Sequence, residues 1–273
     1  MITALTLAAA LLLTTGCGDP HKGQVLIDDG NAQVWITPAP GVPVSSFTSE
    51  QFSVDENGVP AYSGSDYTTM RGIDVSYYQK EVDWKAVAKS GVEFAFIRCG
   101  YRGYSKGTIS TDEQFAANIQ GALKAGIKVG VYFFSQAINV EEAKEEARYA
   151  LELIAPYKVT LPVVFDWENI ESGDGDVRTA ELDGTTLTDC AVAFCETVKD
   201  AGYTPCVYFY RHTGYYSYDL SRLTDYTFWL SRPGTYPDFY YAHAIWQYSF
   251  EGQVPGIEGS TDMNLMFIPV IKG

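Results

Sequence analysis

Basic residues are scarce in this chain. It carries 19 Lys and Arg against 34 Asp and Glu, a formal net charge of −15 over 273 residues. Gripping a phosphate backbone takes a basic footprint, so nucleic acid is excluded as a partner. Histidine is scarcer still, with three in all, and the five cysteines form no C-x-x-C pair. A zinc site draws several such ligands together, so no metal is expected, and no other cofactor. Cys99 and Cys206 fall in apolar, strand-like runs, while Cys190 and Cys195 lie on a helical run without sharing a face. All four read as small buried hydrophobes, although an exported chain would permit one disulfide among them. Long apolar stretches are missing too. The most apolar segment, Ala4 to Leu13, is well short of the roughly 20 residues of a membrane-spanning helix.

What is present is aromatic and apolar. Hydrophobic residues make up 46% and aromatic residues 14%, with 20 Tyr and five Trp. That supports a sizeable core, and tyrosine also suits strand-rich packing or a sugar platform. The N-terminus reads as an export signal over residues 1–16. Its apolar core runs into Thr14-Thr15-Gly16-Cys17, which resembles a bacterial lipoprotein signal with Cys17 as the lipidated residue. No Lys or Arg precedes that core, a departure that leaves an ordinary cleaved signal as the alternative. The expected location is the outer face of a membrane, anchored through Cys17, or the surrounding medium if the protein is released.

Residues 17–69 differ from the rest of the chain, being rich in Pro, Gly, Ser and Asp. They read as a linker. Gln24 to Ile27 and Ala32 to Ile36 flank Asp28-Asp29-Gly30-Asn31 and predict a hairpin; packing on the main domain as an extra strand pair is the alternative.

Residues 70–273 form the main domain. Strand patterns at 72–76, 94–99, 129–134, 161–168, 206–210, 227–231, 244–248 and 263–267 alternate, in the first two-thirds, with helical patterns at 84–89, from Thr111 to Gly126, from Asn139 to Ala155 and at 187–201. Thr111 with Gln114 resembles a capping box. Strand–helix alternation implies parallel strands. Eight candidates predict an α/β fold, an irregular TIM-like β/α barrel with less helix in its last third.

The most informative stretch is Leu161-Pro162-Val163-Val164-Phe165-Asp166-Trp167-Glu168. Residues two apart on a strand share a face, about 6.6 Å apart. Asp166 and Glu168 should therefore project together from the end of a buried strand. Paired carboxylates in a partly dry setting push their pKa values apart, and cleavage of a glycosidic bond uses one acid and one ionised partner. Other strands also end in polar or aromatic residues, including Asp74, Arg98 and Gln247.

Taken together these pieces resemble glycoside hydrolase family 25, the lysozymes that cut peptidoglycan. The resemblance rests on Arg71-Gly72-Ile73-Asp74-Val75-Ser76 with Gln79, Phe96-Ile97-Arg98, Gly130-Val131-Tyr132-Phe133-Phe134, Val164-Phe165-Asp166-Trp167-Glu168, Trp246-Gln247-Tyr248 and Asp262-Met263-Asn264. Phe133 stands where many members have His, and residues 211–240 align poorly.

The resemblance implies that Glu168 is the general acid and that Asp166 stays ionised to stabilise positive charge. It implies that Asp74 and Asp262 hold the sugar and tune the acids. Arg98, Tyr132, Trp246, Gln247 and Tyr248 are the expected substrate contacts. The reaction it implies is N-acetylmuramidase cleavage of peptidoglycan glycan strands, assisted by the substrate's own acetamido group, with direct attack by Asp166 as the alternative route; a monomer is expected. A family 18 chitinase is disfavoured, because further acids belong upstream of Asp-x-Glu where Leu161 and Val164 stand. The alternatives are a wall-binding lipoprotein without activity and a glycosidase for another polysaccharide.

Overall fold

The computed structural model describes residues 19–170 and 176–271. Cys17 and the signal segment lie outside them. The first elements are two antiparallel hairpins. One joins β1 (Val25–Asp28) to β2 (Gln33–Ile36); the other joins β3 (Phe52–Val54) to β4 (Pro60–Tyr62).

The main domain then runs β5 (Tyr67–Val75), α1 (Trp84–Lys89), β6 (Phe94–Arg102), β7 (Ile109–Thr111), α2 (Phe115–Lys124), β8 (Lys128–Ser135), α3 (Val140–Ile154) and β9 (Val163–Trp167). It continues with α4 (Gly184–Asp200), β10 (Pro205–Tyr210), α5 (Arg211–Tyr216), β11 (Thr227–Ser231), β12 (Ile245–Gly252) and β13 (Thr261–Pro269).

Eight strands close into a barrel in the order β5, β6, β8, β9, β10, β11, β12, β13, and β13 pairs back onto β5. Neighbours from β5 round to β12 are parallel; β13 is antiparallel to both of its neighbours. Among the described residues no helix separates β11 from β12 or β12 from β13. The helical alternation therefore lapses in the last third.

Local chemistry sets the helix starts. Asn139 caps α3 by accepting from the Glu142 amide, with Glu141 and Glu142 in the first turn, where the helix dipole favours anions. Asp83 and Asp183 cap α1 and α4 through their carboxylates. The capping box expected at Thr111 is not formed. β6 runs on to Arg102 and folds back as β7, so Thr111 ends a strand paired to Gly100. Asp112 accepts from the Gln114 amide instead.

The period-2 pleat divides the strand residues into two cores. Met70, Phe94, Phe96, Val164, Cys206, Tyr208, Trp229, Ile245 and Met266 fill the barrel. Their neighbours, such as Ile73, Ile97, Val131, Phe165, Phe209, Trp246 and Leu265, pack outward against the helices. Gly72 and Gly130 make room inside. A Cβ on either would lie 2.3 Å from the ring of Phe94 or Phe96.

Residues 19–66, read from sequence as a linker, fold onto this body. Phe47 packs on Tyr67, His243 and Phe267, and Val44 bridges to Tyr241. The β1–β2 turn docks on α5, where Asp28 faces Arg211 at 3.3 Å and Asp29 accepts from the Tyr216 hydroxyl at 2.9 Å. The apolar and aromatic residues scattered through this segment bury themselves on the barrel, which its Pro-Gly-Ser composition masked.

Candidate active site

The inward positions of β5, β6, β8, β9, β10, β11, β12 and β13 change character near one end of the barrel. Beyond the apolar filling they become Asp74, Arg98, Tyr132, Asp166, Gln247 and Asp262, above Tyr208 and Trp229, which belong to the filling and also face the cleft. These line a cleft of about 1150 Å³. The end is the C-terminal one for all the parallel strands, where barrel active sites are built. Glu168 and Tyr210 stand just above, and Tyr77, Tyr78, Tyr101, Tyr104 and Phe250 form an aromatic rim.

Four carboxylates therefore converge. Asp74 is buried and tightly held. Its Oδ2 accepts from the Asn264 amide at 2.7 Å and the Gln247 amide at 2.9 Å. The same Gln247 nitrogen donates to Asp262 Oδ2 at 3.1 Å. Gln247 is itself oriented by the Tyr208 hydroxyl at 2.8 Å, and Asn264 by the Trp229 indole at 2.9 Å. Glu168 accepts a short hydrogen bond from the Tyr210 hydroxyl. Asp166 is 4% exposed, and its Oδ1 has no hydrogen-bond partner among the described residues.

Electrostatics follow from this crowding. Burial pushes the Asp74 carboxyl up to about 6, against the pull of its amide donors. Burial and the nearby Asp74 and Glu168 push Asp262 up to about 9. Glu168 is raised by burial, with Tyr210 opposing. Asp166 is raised well above the carboxylate range by burial and then by the charges of Glu168 and Asp74.

The sequence expectation that Asp166 stays ionised runs against its protein surroundings, which push its pKa up. It is buried without a donor on Oδ1 and sits among like charges, which disfavours its charged form.

The nearest relief is Arg98. Its Nε is committed to Asp112 at 2.8 Å, and its guanidinium carbon lies 4.9, 5.6 and 5.4 Å from the ring centres of Tyr77, Tyr78 and Tyr101. Asp112 also accepts from the Tyr77 amide at 3.1 Å, so one buried acid fixes both the arginine and the start of the tyrosine rim.

Of the residues expected from sequence, the structure brings together Asp74, Asp166, Glu168, Asp262, Arg98, Tyr132 and Gln247. It does not bring Trp246 and Tyr248 to the cleft. Both pack in the outer core, because they flank inward-facing Gln247 on a pleated strand. Tyr208, Tyr210 and Trp229 also line the cleft, and Asn264 braces Asp74 within it; sequence reading gave these four no role. The signal was there: stepping by two from Cys206 gives Tyr208 and then Tyr210.

The model of the family described as "Glycosyl hydrolases family 25" matches residues 73–257. The chain is 29% identical over 211 residues to Lysozyme M1 of Streptomyces globisporus, covering 73% of this chain and 68% of that protein. It is 28% identical to the autolytic lysozyme of Clostridium acetobutylicum over 71% of this chain and 55% of that one. Among solved structures, the modular autolysin LytC of Streptococcus pneumoniae, determined with a synthetic peptidoglycan ligand, superposes with TM-score 0.65 at 25% identity. That match covers 82% of this chain and 52% of LytC, so the chain spans about half the length of this relative. A family 25 glycosyl hydrolase from Bacillus anthracis shares the fold, with TM-score 0.60 at 24% identity over 73% of this chain and 89% of that one.

Proposed function

The chain belongs to glycosyl hydrolase family 25 and is a glycoside hydrolase of the lysozyme class, and from that premise we propose that it is an N-acetylmuramidase. It cleaves the bond between N-acetylmuramic acid and N-acetylglucosamine in peptidoglycan. The observation that carries this is the convergence of Asp74, Asp166, Glu168 and Asp262 in one aromatic-rimmed cleft at the strand ends.

Glu168 is the general acid. Its raised pKa leaves a proton available above the ordinary glutamate value, and it gives that proton to the leaving glycosidic oxygen. The carbon–oxygen bond breaks with its electron pair on that oxygen. The acetamido oxygen of the same sugar bonds to the anomeric carbon and forms a cationic ring.

Asp166 stabilises that ring. Its free Oδ1 suits the acetamido N–H, and arriving positive charge favours the ionised carboxylate that burial among like charges disfavours. Water then opens the ring, with Glu168, now a carboxylate, taking its proton. Asp74 and Asp262, sharing Gln247 between them, hold the acetamido group and the sugar, and Arg98, Tyr132 and Gln247 complete the substrate wall. No metal or cofactor enters this reaction, and the irregular β/α barrel serves as its frame.

Mass spectrometry of digested peptidoglycan tests the proposal. The expected products end in reducing N-acetylmuramic acid; reducing N-acetylglucosamine ends, or binding without release, would overturn it. Export and a lipid anchor on Cys17 complete the reading. Cys17→Ala should move the protein from the membrane to the soluble fraction, and unchanged fractionation would discard the anchor.

A further inference from the structure

Glu168 lies one residue beyond β9, and the ladders that hold that strand stop short of it. Pairing with β10 ends at Asp166, and pairing with β8 ends at Trp167. What holds its main chain instead is a side chain. Gln136, directly after β8, is wholly buried. Its Nε2 donates to the Glu168 carbonyl oxygen at 3.1 Å, and its Oε1 accepts from the Thr179 hydroxyl at 2.7 Å.

Thr179 is 2% exposed and belongs to a stretch that is itself pinned. The Arg178 amide donates to the Tyr104 carbonyl at 2.9 Å, and its guanidinium pairs with Glu142 at 2.6 Å. A primary amide is the side-chain group that donates at one atom and accepts at the other, which is what a bridge between a carbonyl and a hydroxyl demands.

We propose that Gln136, held by Thr179, is a positioning residue for the general acid. It fixes the backbone of Glu168 so that the carboxyl meets both Tyr210 and the leaving oxygen. This rests on Glu168 being the acid. The Thr179–Gln136 bond is buried and the Gln136–Glu168 bond partly so, so removing one partner strands the other, and a small displacement of an acid from its target is costly in rate.

The test compares two substrates on the full chain. One is soluble peptidoglycan, whose sugar leaving group needs a proton. The other is a dinitrophenyl glycoside of the same disaccharide, whose leaving oxygen departs without one. Gln136→Met is expected to lower kcat on peptidoglycan about tenfold to a hundredfold while leaving KM nearly unchanged. On the aryl glycoside kcat/KM, which reports the steps up to release of the leaving group and so precedes the attack of water, should stay within about threefold of the parent. Thr179→Val should follow in the same direction by a smaller factor, and Thr179→Ser should restore the parent's rates. The threonine pair decides the matter if Gln136→Met does not fold.

Equal losses of kcat/KM on both substrates, or none on either, would overturn the positioning role. Glu168→Gln run alongside separates the two claims. Parent-like turnover of peptidoglycan by that variant removes the acid assignment itself. An inactive Glu168→Gln beside parent-like Gln136 and Thr179 variants removes only the positioning role.

Discussion

Strand β6 carries two arginines, Arg98 and Arg102, each beside a group of acids with a buried member, and the protein treats the groups in opposite ways. Arg102 lies against Glu146 at 2.6 Å and Glu145 at 2.8 Å, and Arg178 against Glu142 at 2.6 Å. Ser135 donates to the second oxygen of Glu146 at 2.6 Å. This network ties β6 and β8 to α3.

Arg98, by contrast, is committed to Asp112, and the four cleft acids are left with amide and hydroxyl donors and with one another. Even the paired group feels its burial, which pushes Glu146 up to about 7 despite Arg102. Where each acid has a cation, a buried carboxylate serves as a tie. The cleft acids crowd with no cation paired to any of them, and in the proposed reaction the sugar's developing positive charge would relieve that crowding.

The comparison breaks most sharply at the two glutamates. Glu168→Gln should lower kcat by about 10²–10⁴-fold, the span general acid catalysis supplies, with the melting temperature held. Turnover and thermal melting on one preparation check both halves.

Arg102→Met attacks the other group. Stranding Glu146 without its cation should cost about 3–5 kcal/mol near neutral pH. Denaturant unfolding should show a smaller loss at pH 5, where Glu146 takes up a proton.

Asp262→Asn sharpens the contrast through pH. Asp74, Glu146 and Asp262 have folded-state values of about 6, 7 and 9, all above the ordinary carboxylate value. The folded chain therefore binds these protons more tightly than the unfolded one. Their contribution is greatest at low pH and falls as pH rises through these values. The asparagine variant should melt higher, by about 2–4 °C per kcal/mol of relieved repulsion, and its stability should decline less between pH 6 and 9. Its activity should drop. Melting below the parent across that range would contradict the account.

The smallest effect is expected for Tyr210→Phe. The lost hydroxyl donor lowers the Glu168 pKa in the parent, so the high-pH limb of kcat/KM should move up by less than about one unit. A shift downward would reverse the assigned role.

Much of the cleft was legible beforehand. Asp74, Asp166, Glu168 and Asp262 sit beside recognisable strand ends, and a two-residue spacing is enough to put Asp166 and Glu168 on one side. Trp246 and Tyr248 were misplaced because their strand's phase is set by what lies across the barrel. Nothing within Ala244 to Tyr248 says that Gln247, and not its neighbours, faces Asp74. Packing of residues 19–66 on the barrel, the alternative to the linker reading, was hidden from sequence for a similar reason. Phe47 has no local pattern, and its partners His243 and Phe267 are roughly two hundred residues away in sequence.

By itself the sequence determined the alternation of strand and helix, the helix start at Asn139, and the acidic strand end at Asp166 and Glu168. Each depends on residues close together in the chain. Only the tertiary structure decided that β13 runs back between β12 and β5 and brings Asp262 and Asn264 to Asp74. It also decided that Gln136 reaches the carbonyl of Glu168, and that Arg98 is spoken for by Asp112. Those are pairings between distant segments, and burial fixes them by requiring each polar group removed from water to find its partner.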